Sequence, residues 1–337
     1  MRWLFFVGLV LGLGLLALLG WMVRLPTVEE ALAAGLLPII CASSYRPFTL
    51  AFYTLSWRRL LPPGRARRFG PLLRLRWIGE SINSLLPVAQ VGGDLTRARL
   101  LAARGMDGGA AGAAMIADIA LGALTQAVFG LTGLAALAAL RATGRLTPSV
   151  VIGSLALFVG SVALYAFLRL GPSRLVARLP FGDGLRRRAK TLAGGFTGLD
   201  AAMRRLARRP RALTSSAGWH LLGWFSHVGE TWMVLALCDA PVSWMAALAI
   251  ESLSSTARGA AFFVPGGLGV QEGAVLYLCR RLGLPLEAAV ALGVVKRLRE
   301  LVVGLPGLVA WVFAERAALG RAATRVRAPR SGSCADA

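Results

Sequence analysis

Apolar runs of about 20 residues constrain this sequence more than any other feature, because a helix of that length crosses the hydrocarbon core of a bilayer. The runs follow one another along the chain, and arginine residues cluster in several of the segments between them. The chain is 56% hydrophobic, and a water-soluble core could not hide that much apolar surface. The pattern therefore predicts an all-α polytopic membrane protein.

The strong positive charge of the chain lies mainly between the apolar runs. The formal net charge is +22, and the only lysines are Lys190 and Lys296, so arginine supplies nearly all of the positive charge. Cytoplasmic loops of membrane proteins carry such an excess of basic residues. The charge therefore favours membrane topology over nucleic-acid binding, and it predicts that the N- and C-termini both lie in the cytoplasm.

The order of apolar runs and basic loops predicts six full spans and two re-entrant helical hairpins. The hairpins are predicted at about 71–104 and 243–282, where proline and glycine interrupt the apolar sequence. The spans are predicted at about 3–23, 31–57, 108–140, 148–168, 212–237 and 286–313. Counting the longer arm of each hairpin as a full span gives the alternative of about eight transmembrane segments.

The two interrupted segments resemble each other when the sequence is shifted by 178 positions. This shift aligns Pro87 with Pro265 and Asp94 with Glu272. The charges of the loops independently orient the two copies in opposite directions, so the sequence predicts an inverted repeat, which is typical of secondary transporters. The alternative is that both breaks are ordinary kinks between packed helices, because proline and glycine are frequent in membrane helices.

The repeats are predicted to form a single membrane domain of residues 1–315. Repeat one covers about 31–140 and repeat two about 212–314. The first apolar run is long enough to span and lacks a small-residue cleavage site, so we expect an uncleaved first helix. Residues 316–337 are basic and are predicted to form a disordered cytoplasmic tail.

Candidate residues for substrate binding or gating lie at the two breaks and in the last apolar run. A charge at the bilayer centre costs about 2.5–3.5 kcal/mol on insertion scales, so charged side chains there are functional candidates. Glycine pairs at the predicted hairpin tips permit close backbone approach, and the following helix starts present amides that suit an anionic or hydroxyl-rich headgroup. The candidates are Arg76, Glu80, Asn83, Pro87, Gln90, Gly92, Gly93, Asp94, Asp118, Arg258, Pro265, Gly266, Gly267, Gln271, Glu272, Lys296, Arg297, Arg299 and Glu300.

Structural roles are the alternative for several polar residues. Asp94 and Glu272 stand near predicted helix starts, where a carboxylate complements the helix dipole. His220 and His227 share one face of a span with Glu230, which is typical of helix-packing histidines, and a proton relay is the alternative reading. A metal site needs more ligands, and the four cysteines share no close spacing, so no metal or other cofactor is predicted.

The last span carries a dense group of charges. Lys296, Arg299 and Glu300 share one face, and Arg297 is placed to reach Glu300. This group can bind substrate or act as an internal ion-pair cluster that holds helices together. The repeat aligns Asp118 with Lys296, and an approximate two-fold axis would bring these residues together, so the sequence predicts that they form a pair.

Two stretches resemble the signatures of a known family. Residues 76–94 (RWIGESINSLLPVAQVGGD) are similar to the first signature of the flippase-like membrane domain found in lysylphosphatidylglycerol synthases. Residues 263–272 (FVPGGLGVQE) and 295–300 (VKRLRE) are similar to the second. The PVAQVGG form and the VKRLRE run most resemble the hopanoid-biosynthesis-associated branch, whose members are stand-alone membrane proteins.

The resemblance implies a bacterial inner-membrane protein that moves lipids, with a hopanoid or related polar lipid as cargo. Its expected partners are membrane lipids and proteins of lipid biosynthesis or export. Nucleic acid is not expected as a partner. The aminoacyl-transferase domain of the synthases has no counterpart among these residues, so no enzyme activity is expected. The alternative function is a non-transporting organiser that docks lipid-biosynthesis enzymes on its arginine-rich cytoplasmic surface.

Overall fold

The structure, a computed structural model, describes residues 36–64, 67–86, 91–140, 159, 197–261 and 269–327. Within these residues the chain forms nine α-helices and no strand, so the all-helical prediction is confirmed for them. The predicted spans at 3–23 and 148–168 lie outside the described residues. The helices are α1 Leu37–Leu60, α2 Phe69–Leu85, α3 Gly92–Ala102, α4 Gly108–Ala139, α5 Thr197–Ala207, α6 Pro210–Leu237, α7 Trp244–Ala260, α8 Val270–Arg281 and α9 Leu286–Arg327.

Helices end and begin again on either side of both predicted breaks. Helix α2 ends at Leu85, two residues before Pro87, because proline restricts the residue before it and cannot donate to a helix. Helix α7 ends and α8 begins on either side of 262–268. The predicted tips, with Pro87 and Gln90 in the first and Pro265, Gly266 and Gly267 in the second, lie outside the described residues.

The helix starts follow the spacing of the predicted repeat. Gly92 and Val270, which begin α3 and α8, are 178 positions apart, and so are Gly108 and Leu286, which begin α4 and α9. The start of α4 is fixed by Asp107, whose side chain accepts the backbone N–H of Ala110 at 2.8 Å. We refer to α1–α4 as the first half and α6–α9 as the second half.

Helix α9 is longer than predicted. It runs from Leu286 to Arg327, about 63 Å at 1.5 Å per residue, which is twice the thickness of a hydrocarbon core. Residues 316–327 of the predicted disordered tail are therefore helical, and 328–337 lie outside the described residues. Two described helices, Gly108–Ala139 and the Leu286–Arg321 part of α9, are long and apolar enough to cross a membrane.

Small residues allow the halves to pack closely. Added methyl groups at Gly130 and Gly133 of α4 would overlap the side chains of Thr256 and Ser252 of α7. Within the first half, a methyl group on Gly93 of α3 would overlap the carbonyl oxygen of Gly79 in α2. Such contacts are typical of membrane helices, which associate by close packing rather than by a hydrophobic driving force.

Two buried apolar clusters lie at different levels of the long helices. Along α1, the buried residue Ala42 belongs to one cluster and Trp57 to the other. Along α9, Leu292 and Ala314 belong to different clusters in the same way. Between these levels, the same helices carry charged side chains, which form the site described next.

Candidate functional site

A polar cavity lies between the two apolar clusters. Its volume is about 360 Å³, and eight of the nine described helices contribute to its lining; α5 does not. Five acidic and six basic side chains line it. These are Glu80, Asp94, Asp118, Glu251 and Glu300, with Arg46, Arg76, Arg97, Arg258, Lys296 and Arg299.

Asp118 is the centre of the charge cluster in the first half. Its Oδ2 accepts hydrogen bonds from Arg76 Nη1 at 2.6 Å and from Arg97 Nη2 at 2.5 Å, while its Oδ1 lies 3.0 Å from His220 Nε2. Only 2% of Asp118 is exposed, so it depends on these partners. The guanidinium of Arg97 also lies 4.5 Å from the ring centroid of Trp57. The cluster thus joins α1, α2, α3, α4 and α6.

Asn83 and Asp94 link the helices on either side of the first break. Asn83 Oδ1 accepts the backbone N–H of Gly93 at 2.7 Å, and its Nδ2 donates to Asp94 Oδ2 at 3.1 Å. The other oxygen of Asp94 accepts from Arg97 Nε at 2.8 Å. These bonds satisfy an amide at the start of α3 and hold α2 against α3.

Glu80 is the most exposed acid of the cavity lining. Its side chain is 31% exposed and accepts from Arg76 Nε and Arg46 Nη2, each at 3.2 Å. Arg46 lies on α1 and also approaches Thr49 Oγ1 at 3.3 Å. The pair of Arg46 and Glu80 therefore presents both charges to the cavity.

Glu251 and Lys296 form the buried pair of the second half. The Lys296 ammonium donates to Glu251 Oε2. Glu251 also accepts from Thr231 Oγ1 at 2.5 Å and from Ser255 Oγ at 2.9 Å, so α6, α7 and α9 meet at this carboxylate. Both members of the pair are buried, Glu251 to 3% exposure and Lys296 to 6%.

Arg299 and Glu300 of α9 have partners on α6 and α7. Arg299 donates to Glu230 of α6, and Glu300 accepts from Arg258 Nη1 of α7 at 2.6 Å. Arg258 Nη1 also donates to Gln271 Oε1 of α8 at 3.0 Å. The charges that share one face of α9 therefore connect it to the rest of the second half.

Glu272 has the structural role that the sequence left open. Its Oε2 accepts the backbone N–H of Gly269 at the start of α8, at 2.9 Å, and its Oε1 accepts from Arg297. Arg297 Nη1 donates to Glu300 Oε2 at 2.8 Å, so the predicted contact of these two residues is confirmed. Glu272 and Arg297 do not line the cavity.

The predicted pairing of Asp118 with Lys296 is wrong. Asp118 binds two arginines of its own half, and Lys296 binds Glu251. The alignment placed two residues at equivalent positions of the repeat. Asp118 is neutralised by arginines of the first half, and Lys296 is neutralised by a carboxylate of the second half. The two equivalent residues therefore do not pair with each other.

The two histidines of α6 connect the halves. His220 reaches Asp118 of α4, and His227 Nε2 lies 3.4 Å from Arg46 Nη1 of α1. His227 Nδ1 lies 3.5 Å from Glu230 Oε2. Both rings pack near Tyr53, with centroid distances of 5.5 and 6.1 Å. Within the described residues, no group of three or more His, Cys, Asp or Glu side chains is arranged to hold a metal ion.

The structure brings most of the described candidates to one place. Gly92 and Gly93 lie at the start of α3 outside the lining. The candidates that line the cavity are Arg76, Glu80, Asn83, Asp94, Asp118, Arg258, Gln271, Lys296, Arg299 and Glu300. Their role in binding or gating stays a prediction, since position alone does not test it.

Sequence reasoning missed several lining residues. Arg46 is a lone charge within the apolar sequence of α1, and a charge in such a position is by itself a signal of function. Arg97 and Glu251 were visible as charges within the interrupted segments, but nothing local showed that they face the cavity. Tyr53 has no distinguishing signal in the sequence, because aromatic residues are common in apolar helices.

Long apolar helices around a buried charged cavity are consistent with a helical membrane protein. The described helices provide this arrangement together with small-residue packing between them. Residues 5–307 match the model of the family described as the lysylphosphatidylglycerol synthase TM region, and the chain belongs to that family. This membership agrees with the resemblance found in the sequence and links the protein to lipid metabolism. No curated protein and no solved structure matches the chain.

Proposed function

We propose that this protein is a lipid translocator whose central cavity binds the polar headgroup while the hydrocarbon body of the lipid stays in the bilayer. The observation that carries the proposal is the charged cavity between two apolar clusters. Buried charge is costly in a membrane and marks substrate pathways in transporters. A protein that used ion pairs only to join helices would gain nothing from the open volume beside them.

The size of the cavity supports a headgroup as its occupant. Ligand cavities commonly measure about 300–1,000 Å³, so a volume of 360 Å³ suits a headgroup better than a whole lipid. Apolar side chains also line the cavity, among them Leu50, Trp77 and Val303. They provide surface for the carbon atoms that adjoin a headgroup.

The distribution of ion pairs supports movement of one half against the other. Each arginine–carboxylate or lysine–carboxylate pair in the cavity lining joins residues of the same half, as in Asp118 with Arg76 and Glu251 with Lys296. Separating a buried pair costs about 3–5 kcal/mol. Because these pairs move with their half, the cavity can change its opening without that cost, as alternating access requires.

The repeat and the family resemblance supply the finer parts of the proposal. Helix starts 178 positions apart support a repeat, and we place its two hairpins in the membrane from opposite faces. From the resemblance of residues 76–94, the cargo is a hopanoid or related polar lipid of the bacterial inner membrane. Both termini lie in the cytoplasm, and the protein moves lipid without chemical change.

Reconstituted protein tests the proposal. Vesicles of phosphatidylethanolamine and phosphatidylglycerol would carry the full chain and one fluorescently tagged lipid, either phospholipid or a hopanoid, and a membrane-impermeant quencher would report its movement. We expect faster movement of at least one of these lipids than in protein-free vesicles. If none of them moves faster, the translocator proposal is wrong.

A matched pair of variants tests the cavity. Glu80→Gln changes a cavity carboxylate, and Glu315→Gln changes a carboxylate of similar exposure, 31% against 25%, that pairs with Arg99 away from the cavity. We expect slower lipid movement only in the first variant. Equal rates in the two variants would show that the cavity charge is not used.

A further inference from the structure

In the cavity region, two contacts join an ionised side chain of the first half to a titratable side chain of the second half, and in both the second residue is a histidine. His220 of α6 bonds to Asp118 of α4, and His227 of α6 bonds to Arg46 of α1. All arginine and lysine pairs of the lining stay within one half. Protonation of a histidine is therefore the change of charge that acts directly on the interface between the halves.

The surroundings of His227 determine which of its nitrogens carries the proton. A guanidinium only donates, so Arg46 Nη1, at 3.4 Å, assigns Nε2 as the acceptor. Nδ1 then carries the hydrogen and faces Glu230 Oε2 at 3.5 Å. That carboxylate oxygen is buried and has no hydrogen-bond partner among the described residues. In the neutral ring, the lone pair of Nε2 therefore faces Arg46, and a carboxylate oxygen lies beside Nδ1.

Charges from every neighbouring element face His227. Arg46 and Tyr53 come from α1, Glu80 from α2, Glu230 from α6 itself and Glu251 from α7. Two cations of α9 complete the surroundings: Arg299 is bound to Glu230, and Lys296 is bound to Glu251. The three carboxylates and three cations balance, so an added proton leaves a net positive charge that the surroundings must accommodate.

Arg46 is the group that can respond. A proton on Nε2 removes the lone pair that accepts from Arg46 and places two cations next to each other. Arg46 keeps Glu80 Oε2 at 3.2 Å as a partner within its own half, so it can leave His227 without becoming an unpaired buried charge. The imidazolium in turn gains from the free oxygen of Glu230.

We propose that His227 is a proton-binding site that couples lipid movement to the transmembrane proton gradient, an inference that rests on the proposed translocator function. A proton from one aqueous phase binds Nε2, breaks the contact with Arg46 and weakens the α1–α6 interface at that level. The contact of Ser56 with Ser216, at 2.7 Å, continues to hold the same two helices together. The proton leaves to the other phase when the cavity opens there.

Proton binding can be measured without knowing the cargo. The chain has only two histidines, so the full chain labelled at histidine and placed in nanodiscs gives two imidazole signals, which His227→Gln and His220→Gln assign. The signal would be recorded from about pH 4 to 9, around the ordinary range of histidine. We expect the His227 signal to titrate and Arg46→Gln to shift its midpoint, because a neighbouring cation opposes the imidazolium. If the His227 ring keeps one protonation state over this pH range, or if Arg46→Gln leaves the titration midpoint unchanged, the inference is wrong.

The coupling is tested in the vesicles described above, with and without an imposed pH gradient. For one proton per lipid, a gradient of one pH unit should change the steady-state distribution of the tagged lipid about tenfold. Glu315→Gln, whose carboxylate lies away from the cavity, should keep this response, and His227→Gln should lose it. If the pH gradient does not change the lipid distribution, or if His227→Gln shows the same response as the wild type, the proton-coupling inference is wrong. The translocator proposal is unaffected by either result. If no lipid moves in any variant or in the wild type, both the translocator proposal and the proton-coupling inference are wrong. If only His227→Gln is inactive, the imidazole titration decides whether His227 binds a proton.

Discussion

The buried pair of Glu251 and Lys296 predicts an asymmetric response to loss of either partner. In the described part of the chain, the Lys296 ammonium has Glu251 as its only hydrogen-bond partner. Glu251 also accepts from the hydroxyl groups of Thr231 and Ser255. Removal of the carboxylate therefore leaves a buried cation without an acceptor, whereas removal of the ammonium leaves a carboxylate that keeps two donors.

The magnitudes follow from this difference. Loss of one partner of a buried pair costs about 3–5 kcal/mol, and we expect Glu251→Ala to fall in that range. The two remaining hydroxyl bonds of Glu251 each contribute about 1 kcal/mol, so Lys296→Met should cost about 2 kcal/mol less, or about 1–3 kcal/mol. The double variant removes both charges of this pair, so no member is left unpaired, and it should be at least about 1 kcal/mol more stable than Glu251→Ala alone.

Reversible unfolding in mixed micelles of a mild detergent and dodecyl sulfate measures these free energies. The wild type, both single variants and the double variant form a complete cycle, and Glu287→Ala serves as a control because this acid of α9 is exposed. The control should cost less than about 1 kcal/mol. Equal losses in the two single variants, or a double variant no more stable than Glu251→Ala, would refute the reasoning, because either result means that the ammonium finds another acceptor.

Two further predictions concern packing and surface charge. Gly93→Ala should lower the free energy of unfolding by about 1–3 kcal/mol, because its methyl group would overlap the Gly79 carbonyl oxygen, whereas Gly273→Ala faces open space and should be neutral or stabilising. The same unfolding curves check both, and equal stabilities would contradict the close approach of α2 and α3. The pair of Arg99 and Glu315, with side chains 47% and 25% exposed, should contribute less than about 1 kcal/mol, so Arg99→Gln should hardly change unfolding at high or low salt. A loss above about 2 kcal/mol would contradict this surface assignment.

Helix positions were predictable from the sequence because their limits depend on local chemistry. Proline and glycine end helices wherever they occur, and the breaks near Pro87 and Pro265 fall between helices as expected. The extension of α9 to Arg327 was missed, because basic residues are typical of tails but also favour helices.

The partners of the charges were not predictable in the same way. The spacing along α9 correctly placed Arg297 next to Glu300, since both lie on one helix. The partners of Asp118 depend on how three other helices pack around it, and no local pattern contains that information. The repeat suggested Lys296 because an alignment relates positions, while an ion pair forms between neighbours in space.

The distribution of charge also bears on how the protein is made. The ribosome delivers the first half to the insertion machinery before the second exists, and Asp118 then already has Arg76 and Arg97 as counterions. A nascent segment that carries its own counterions need not wait in the translocon for later helices. The two halves should therefore insert as separately expressed polypeptides and assemble afterwards, joined by histidine contacts and close packing rather than by buried salt bridges.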